Sequence, residues 1–548
     1  MLYKQYQDIR YLLLESREDL PEQATDVPLD FLSIIESSGS SVVCTGDDHS
    51  TRRCKFRNLC YLPDEDHFLF FHGQSTILEG LPEDRFNPAL LDFSSVKNHN
   101  TQYFNYIDVP SESARSILGR PTVISTRSLL FRRFNPSNIM HAFHDDLLPM
   151  FHTLRLITLH DSTTMPFDVQ IVFMDNADHG SFSHLYGLYS SSRPITKRDI
   201  QDAGETICFR EAHVGLDKSM TWYQYGFFEP QGPLPDIHVT SSHIAHFANF
   251  TRHRLNLTNQ ASPSTKIAVI LSRKHNRLIL NELSLSSNLA QQFNLKVVLV
   301  SLETHTAAEI IETIGQADLL VGMHGSLFIM SLFLPPGSVL LELFPYGVNP
   351  KHYTPYKTLA NIQRITYHSW RNLNKDHAVP HPYRPRELGG IAHLDADLQG
   401  QITNSVEVPR HLCCRDPEWL FRIYQDTIVD IDAVISIIRS SPSETKPPLP
   451  PSVIMPSLVL DIHCDISAHS LRLGFTEPWN LELLDARLVQ YEVWIQDVDS
   501  QVTSAWVLTR TFHDFALDSD SERRVWVRCV LDETLRGPFN QDPVLCNE

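Results

Sequence analysis

The chain has 548 residues, 42% hydrophobic and 20% charged, an ordinary globular make-up with room for roughly three or four domains. Lys and Arg number 46 against 65 Asp and Glu, a net charge of −19, which argues against nucleic acid as the main partner but not against local phosphate sites. Nine cysteines are too few for a disulfide-built scaffold, no Cys-x-x-Cys pair marks a zinc ribbon, and no apolar run spans a membrane.

In chain order, residues 1–60 read as a lead-in, with a helix over 5–17 and a loop at 36–41. Cys44, Cys54 and Cys60 lie close enough for a local disulfide in an oxidising compartment, whereas Cys413 and Cys414 are neighbours that strain disfavours bonding to each other. Residues 61–255 alternate between strand and helix and form a first Rossmann-like half. Strands are expected at 68–71, 121–126, 129–131, 169–174 and 207–213, a helix over 138–160, and an aromatic loop outside the core at 223–228. Residues 256–440 form a second Rossmann-like half. Apolar, β-branched strands at 267–272, 296–301, 318–323 and 339–344 alternate with helices at 278–293, 307–317 and 327–334, the pattern of a parallel sheet covered on both faces. Residues 380–385 are a Pro-rich rigid connection, and 419–439 reads as one amphipathic helix packing back across the halves. Residues 441–455 are a Pro-rich linker. Short alternating strands at 459–466, 471–475, 490–496, 505–509 and 525–531 then make 456–548 a β-sandwich.

Ligands bind beyond the carboxyl ends of parallel strands. In the second half those ends carry Ser272, Arg273 and Arg277, then His324, Gly325 and Ser326, and then the strand holding Glu342. Arg offers a fork of donors to phosphate oxygens, Gly325 lets backbone approach a ligand, amides following Ser326 favour anions, and Glu342 is a candidate acceptor for ribose hydroxyls. This suits a nucleoside diphosphate. No Gly-x-Gly-x-x-Gly or Walker pattern occurs, which disfavours dinucleotide and Walker-type sites. In the first half, His141 and Asp145 share a helix face and are the residue types that take a proton from an acceptor hydroxyl, while His144 and Asp146 fall on other faces; the competing reading is an exposed helix start. The Asp395/Asp397 and Asp430/Asp432 pairs have metal-site spacing but read as surface, so no metal site is expected. Asn249 and Asn256 head glycosylation sequons.

His141-x-Phe-x-Asp145, the Ser272-Arg273 strand end, Met323-His324-Gly325-Ser326 and the run from Phe333 to Glu342 resemble family 61 glycosyltransferases. Residues 222–227, 349–359 and 408–414 extend the likeness to almost the whole chain. Residues 471–479, 491–494 and 525–528 resemble strands of a fibronectin type III module, although Glu522-Arg523-Arg524 stands where that module carries a Tyr. The resemblance implies an α/β chain with a glycosyltransferase B fold followed by that module. It implies an inverting enzyme that moves N-acetylglucosamine from UDP-N-acetylglucosamine (UDP-GlcNAc), in β-1,4 linkage, onto O-linked mannose of glycoproteins such as α-dystroglycan. Arg273 and Arg277 would hold the diphosphate, and His141 or Asp145 would be the base. No cofactor is obligatory, the need for a divalent metal stays open, and a homodimer is allowed. The N-terminus lacks a signal-peptide pattern, so the chain alone points to the cytosol. The resemblance points instead to the lumen of the endoplasmic reticulum and a type II membrane protein whose anchor is not in this chain. Competing expectations are another family 61 enzyme, acting on epidermal-growth-factor repeats or transferring a pentose, and a catalytically dead carbohydrate-binding relative.

Overall fold

The computed structural model describes residues 31–45, 49, 51–73, 91–96, 102–158, 166–226, 229–257, 265–440, 456–478, 481, 488–532, 535–540 and 542–547. The expected 5–17 helix and the 441–455 linker lie outside them.

The chain is a mixed α/β protein built on several sheets. In the 256–440 region, Ile267–Leu271, Lys296–Val300, Leu319–Met323, Val339–Phe344 and Thr366–Arg371 form a five-stranded, wholly parallel sheet. Successive side chains of a strand point to opposite faces. Ala268 and Ile270 therefore meet the helices Glu282–Phe293 and Ile431–Arg439, while Val269 and Leu271 meet the helix Ala307–Ile314 and the 3₁₀ helix Ser326–Phe333. Burial on both faces explains why the three central strands read as unbroken apolar runs, while the edge strand Thr366–Arg371, which is mostly polar and half-buried, escaped the sequence pattern.

The N-terminal sheet has nine strands and is mixed. Ser128–Phe131, Gln170–Phe173, Ile195–Thr196 and Ile207–Val214 pair in parallel, and Arg53–Leu62 adds antiparallel to Ile207–Val214. The boundary at residue 60 therefore cuts a strand. The supposed lead-in supplies Ser41–Thr45 and Arg53–Leu62, bonded through Cys44–Cys54 and Cys60–Cys208, and the expected loop at 36–41 begins as the end of the helix Phe31–Ser38. One apolar cluster runs through both halves, with Phe143 of the first edge-on to Phe333 of the second at 5.7 Å between ring centroids.

The single helix expected over 419–439 is two helices, Pro417–Ile423 and Ile431–Arg439. Buried Asp426 breaks it, because its carboxylate accepts from Leu278 N (2.8 Å) and meets His381 Nε2 (2.7 Å). The Asn281 carboxamide then bonds both Val429 O and Val429 N, and Asp430 caps the second helix through Ala433 N. Cys413 and Cys414 are bonded to each other, against expectation. The chain turns back on itself there, with Arg415 N bonded to Cys413 O and Cys414 at φ 63°.

Beyond residue 455, Leu460–Ser467, Ser470–Thr476 and Phe512–Ala516 form one antiparallel sheet. Val489–Asp497, Thr503–Leu508, Arg523–Leu531, Leu535–Arg536 and Val544–Cys546 form another, and the two share a core of residues such as Leu471, Leu473, Val493 and Val527. The sequence pattern missed Phe512–Ala516, where only Phe515 is buried. Cys464–Cys546 joins the two sheets, and Cys529 is a buried free thiol. Asp542 moors the module to the first sheet through Lys55 Nζ (2.6 Å) and Arg57 Nη2 (2.9 Å).

The Asn281 bridge fixes where the returning chain crosses the second half. Asn281→Ala should cost about 1–3 kcal/mol of stability, since it leaves two backbone groups without their partner. Chemical denaturation checks this, and an unchanged midpoint would contradict it.

Candidate active site

The first part of the site sits on a distorted helix. Asn138 caps it by accepting from Met140 N (2.9 Å), and residues Ala142–Leu147 wind as a π-helix before regular α-helix resumes. Such π segments often mark functional positions. His141 Nδ1 lies 2.6 Å from Asp145 Oδ2, as the four-residue spacing predicts. His144, expected on another face, reaches the same carboxylate, with Nδ1 2.6 Å from Oδ1, because the wider turn swings it round. The competing reading of an exposed helix start fails, since Asp145 and Asp146 are buried.

Burial works to raise the Asp145 pKa, but its bonds and charge contacts with His144 and His141 outweigh that and hold it below the usual carboxylate range. Asp146 goes the other way. Burial pushes it up to about 8 despite the Tyr186 hydroxyl bonded to it at 2.6 Å, so it gives up its proton far less readily than Asp145.

His144 Nε2 accepts from Trp222 N (3.1 Å), which assigns the proton of His144 to Nδ1, facing Asp145. His141 lies nearer the surface, its side chain 14% exposed against 1% for Asp145, and its ring edge meets Phe134 and Tyr225. With Nδ1 turned to Asp145, the free-facing nitrogen of His141 is Nε2. A buried carboxylate behind a partly exposed imidazole is the arrangement of an oriented general base.

The stretch 223–228, expected to be a loop outside the core, joins the two halves instead as far as it is described. Trp222 and Tyr223 are buried. Trp222 Nε1 donates to Pro355 O (3.1 Å) and Thr354 N donates to the Tyr223 hydroxyl (3.3 Å), while the Tyr225 hydroxyl donates to Asp145 Oδ1 (3.0 Å). The dense aromatic residues there were the available signal, and alternation of side chains along a short strand separates their roles.

The second part lies beyond the parallel strands. A Cβ on Gly325 would meet Arg273 Nη2 at 2.3 Å and Arg277 Nη1 at 2.5 Å, so both guanidiniums converge on the space that glycine leaves. Gly325 is extended (φ 161°), so what matters is its missing side chain and not its backbone freedom. Among the described residues neither arginine has a carboxylate partner. Arg277 Nη1 donates to His324 O (2.9 Å), its guanidinium lies 4.7 Å from the Tyr424 ring centre, its buried Nε has no partner, and its backbone is left-handed (φ 55°). Burial, then the Arg277 charge, lowers Arg273 to about 9. Two cations brought together with no carboxylate bonded to either, and only the more remote charge of Glu303 acting on Arg273, suit an anion, and forked donors suit phosphate.

Three expected ligand contacts are built otherwise. Glu342 is sealed inside its strand, paired with Gly322, and both its oxygens are used, by His324 Nδ1 (2.5 Å) and the Tyr367 hydroxyl (2.7 Å). It therefore fixes His324 from behind, and its full burial keeps it from a ribose in this structure. Ser272 is turned back to Glu282 (3.0 Å). Ser326 opens a 3₁₀ helix in place of an α-helix. Among the described residues, no group of three or more His, Cys, Asp or Glu side chains could hold a metal ion. Asp395 and Asp430 are helix caps, through Leu398 N and Ala433 N. Asn249 and Asn256 are exposed, but the Thr251 hydroxyl of the first sequon is buried and bonded to Phe247 O (2.8 Å) and the Tyr189 hydroxyl (2.5 Å).

The Glycosyltransferase 61 family model matches residues 139–341, from the start of the histidine helix to the sealed strand beside Gly325. A protein O-linked-mannose β-1,4-N-acetylglucosaminyltransferase 2 from Tetraodon nigroviridis is 42% identical over 94% of this chain and 90% of its own length. The Homo sapiens protein of that name is 42% identical over 97% and 94%, and the Xenopus tropicalis one 40% over 98% and 95%. Among solved structures, the rat CD45 extracellular region (domains d3–d4) aligns with 17% of this chain and 49% of its own at 12% identity, with a TM-score of 0.14 that carries no argument.

Gly325→Ala tests the convergence of the arginines. The atoms it displaces are the ends of flexible side chains, so the protein should fold with an unchanged thermal midpoint while the charges are pushed apart. Calorimetric titration with UDP should find binding weakened about tenfold or more, as expected for a disturbed charged hydrogen bond. An unchanged Kd would contradict it.

Proposed function

Because the chain belongs to the glycosyltransferase 61 family, we propose that it transfers N-acetylglucosamine from UDP-GlcNAc, in β-1,4 linkage and with inversion, onto mannose O-linked to glycoproteins such as α-dystroglycan. The observation that carries this reading is the pair Arg273 and Arg277, converging on Gly325 with no acid between them, in the same fold as an oriented His141. The two arginines neutralise the diphosphate. His141 Nε2 takes the proton of the mannose 4-hydroxyl as that oxygen bonds to C1 of the sugar, and the C1–O bond to UDP breaks on the opposite face. Asp145, with both oxygens bonded, is the group that orients His141 and stabilises its imidazolium. Its depressed pKa supports that role, because a carboxylate held ionised by two imidazoles is a poor proton acceptor. The leaving UDP gains negative charge where two cations already stand, the kind of preorganisation that lowers a barrier without moving atoms.

We read residues 61–255 and 256–440 as the two halves of a glycosyltransferase B fold, extended at the N-terminus by the strands before residue 60, and 456–548 as a fibronectin type III-like module near the acceptor. The shared core between the halves and the Asp542 mooring support this arrangement. Four disulfides support an oxidising compartment such as the lumen of the endoplasmic reticulum.

The test is UDP release on mixing the protein with an O-mannosyl peptide and a panel of sugar nucleotides. UDP-GlcNAc should be the productive donor. His141→Ala should lower kcat by about 10²–10⁴, the usual contribution of a general base, with the Kd for UDP unchanged. Transfer that survives His141→Ala would move the base elsewhere.

A further inference from the structure

We propose that Tyr225 is a positioning residue that sets the basicity of His141 by taking up part of the charge of Asp145. This rests on the reading of His141 as base and adds a residue that the sequence pattern placed in a mere loop.

The geometry divides the carboxylate in two. Asp145 Oδ2 serves His141. Oδ1 serves His144 Nδ1 at 2.6 Å and the Tyr225 hydroxyl at 3.0 Å. The Tyr225 hydroxyl also lies 2.8 Å from His144 Nδ1. Since His144 Nε2 accepts from Trp222 N, the Nδ1 proton belongs to His144 and the phenol has no acceptor there. The Tyr225 O–H therefore donates to Asp145. Each donor on Oδ1 draws negative charge from Oδ2 and weakens its hold on a protonated His141. The phenol remains a donor throughout the working pH range, because burial and then the Asp145 charge raise its pKa well above the usual value. The other titratable groups facing this cluster are Asp146 and Tyr356, each with its pKa raised chiefly by burial.

Tyr225 is held from both halves of the protein. Its ring edge meets His141 at 4.7 Å and His144 at 5.7 Å between ring centroids. The residues before it are tied to Thr354 and Pro355 of the second half, next to Tyr356, which faces Arg273 and Arg277. Gly226 N bonds Gln224 Oε1 (2.7 Å), closing the turn that presents the side chain.

The experiment is the pH profile of kcat, with UDP-GlcNAc and an O-mannosyl peptide, for three full-length proteins: the parent, Tyr225→Phe, and the protein with 3-fluorotyrosine in place of Tyr225. Removing the hydroxyl returns charge to Asp145 and makes His141 more basic. Its neutral form, the base, is then lost at a higher pH. Tyr225→Phe should therefore lose about three- to tenfold in kcat on the acid side and recover to within about twofold on the alkaline side, its acid limb moving up by about 0.5–1 in pH. The fluorinated phenol is the stronger donor and should move the limb down. The Kd for UDP should stay within about twofold in all three, since none of these changes touches the arginines. A loss independent of pH, or limbs that do not move in opposite directions, would overturn the proposal. Should Tyr225→Phe fail to bind UDP and so prove misfolded, the fluorotyrosine protein decides alone, because it keeps the shape of the parent. Failure of the underlying reading looks different: the parent would not transfer, or His141→Ala would still transfer.

Discussion

Two positive charges held against one glycine, with no carboxylate bonded to either among the described residues, are the constraint on which the second half is built. At an effective dielectric of about 20, like charges about 4 Å apart repel by about 4 kcal/mol. A free pair of surface arginines would drift apart. Here Arg277 is held by His324 O and by the face of Tyr424. His324 is held by Glu342, and Glu342 by Tyr367. The buried Glu342 is therefore part of the support of the anion site, two steps removed from any ligand. On the proposed reading, a bound diphosphate relieves that repulsion, which would give the donor part of its affinity.

The proton-transfer side belongs to the first half, yet it is not independent of the second. Phe143, inside the π-helical turn, packs on Phe333, which follows the Gly325 loop by eight residues along one 3₁₀ helix. Trp222 and Tyr223 reach across to Thr354 and Pro355. His141 and the arginines are thus positioned against a common core, and a shift of one half is felt by the other, because packed interiors do not deform smoothly.

The parallel sheet was legible because strands buried on both faces read as apolar runs and their ends carry whatever touches a ligand. That rule alone brought Arg273, Arg277 and Gly325 together, and the structure places the two guanidiniums against that glycine. The His141–Asp145 pair followed from helical spacing. What spacing does not carry is a change of helical pitch, and so His144 was assigned to the wrong face. Nor does it carry burial of a polar side chain. Glu342 looked like a ligand residue at a strand end, but its register against Gly322 places it inside the sheet. The break in the 419–439 helix turns on Asn281 and Asp426 bonding segments nearly 150 residues apart in the chain, a tertiary effect with no local signal. The N-terminal strands were missed for a similar reason: Arg53–Leu62 pairs with Ile207–Val214, a partner far along the chain that leaves no local signal.

The central claim is that the unpaired arginines exist to hold a diphosphate. Comparative titration of UDP and uridine into the parent and Arg273→Met tests it most directly, because methionine keeps the apolar stem and removes only the charge. The parent should bind UDP far more tightly than uridine, and Arg273→Met should lose most of that difference, about 1.5–3 kcal/mol, with uridine affinity unchanged. Equal preference for UDP over uridine in both proteins would contradict the account.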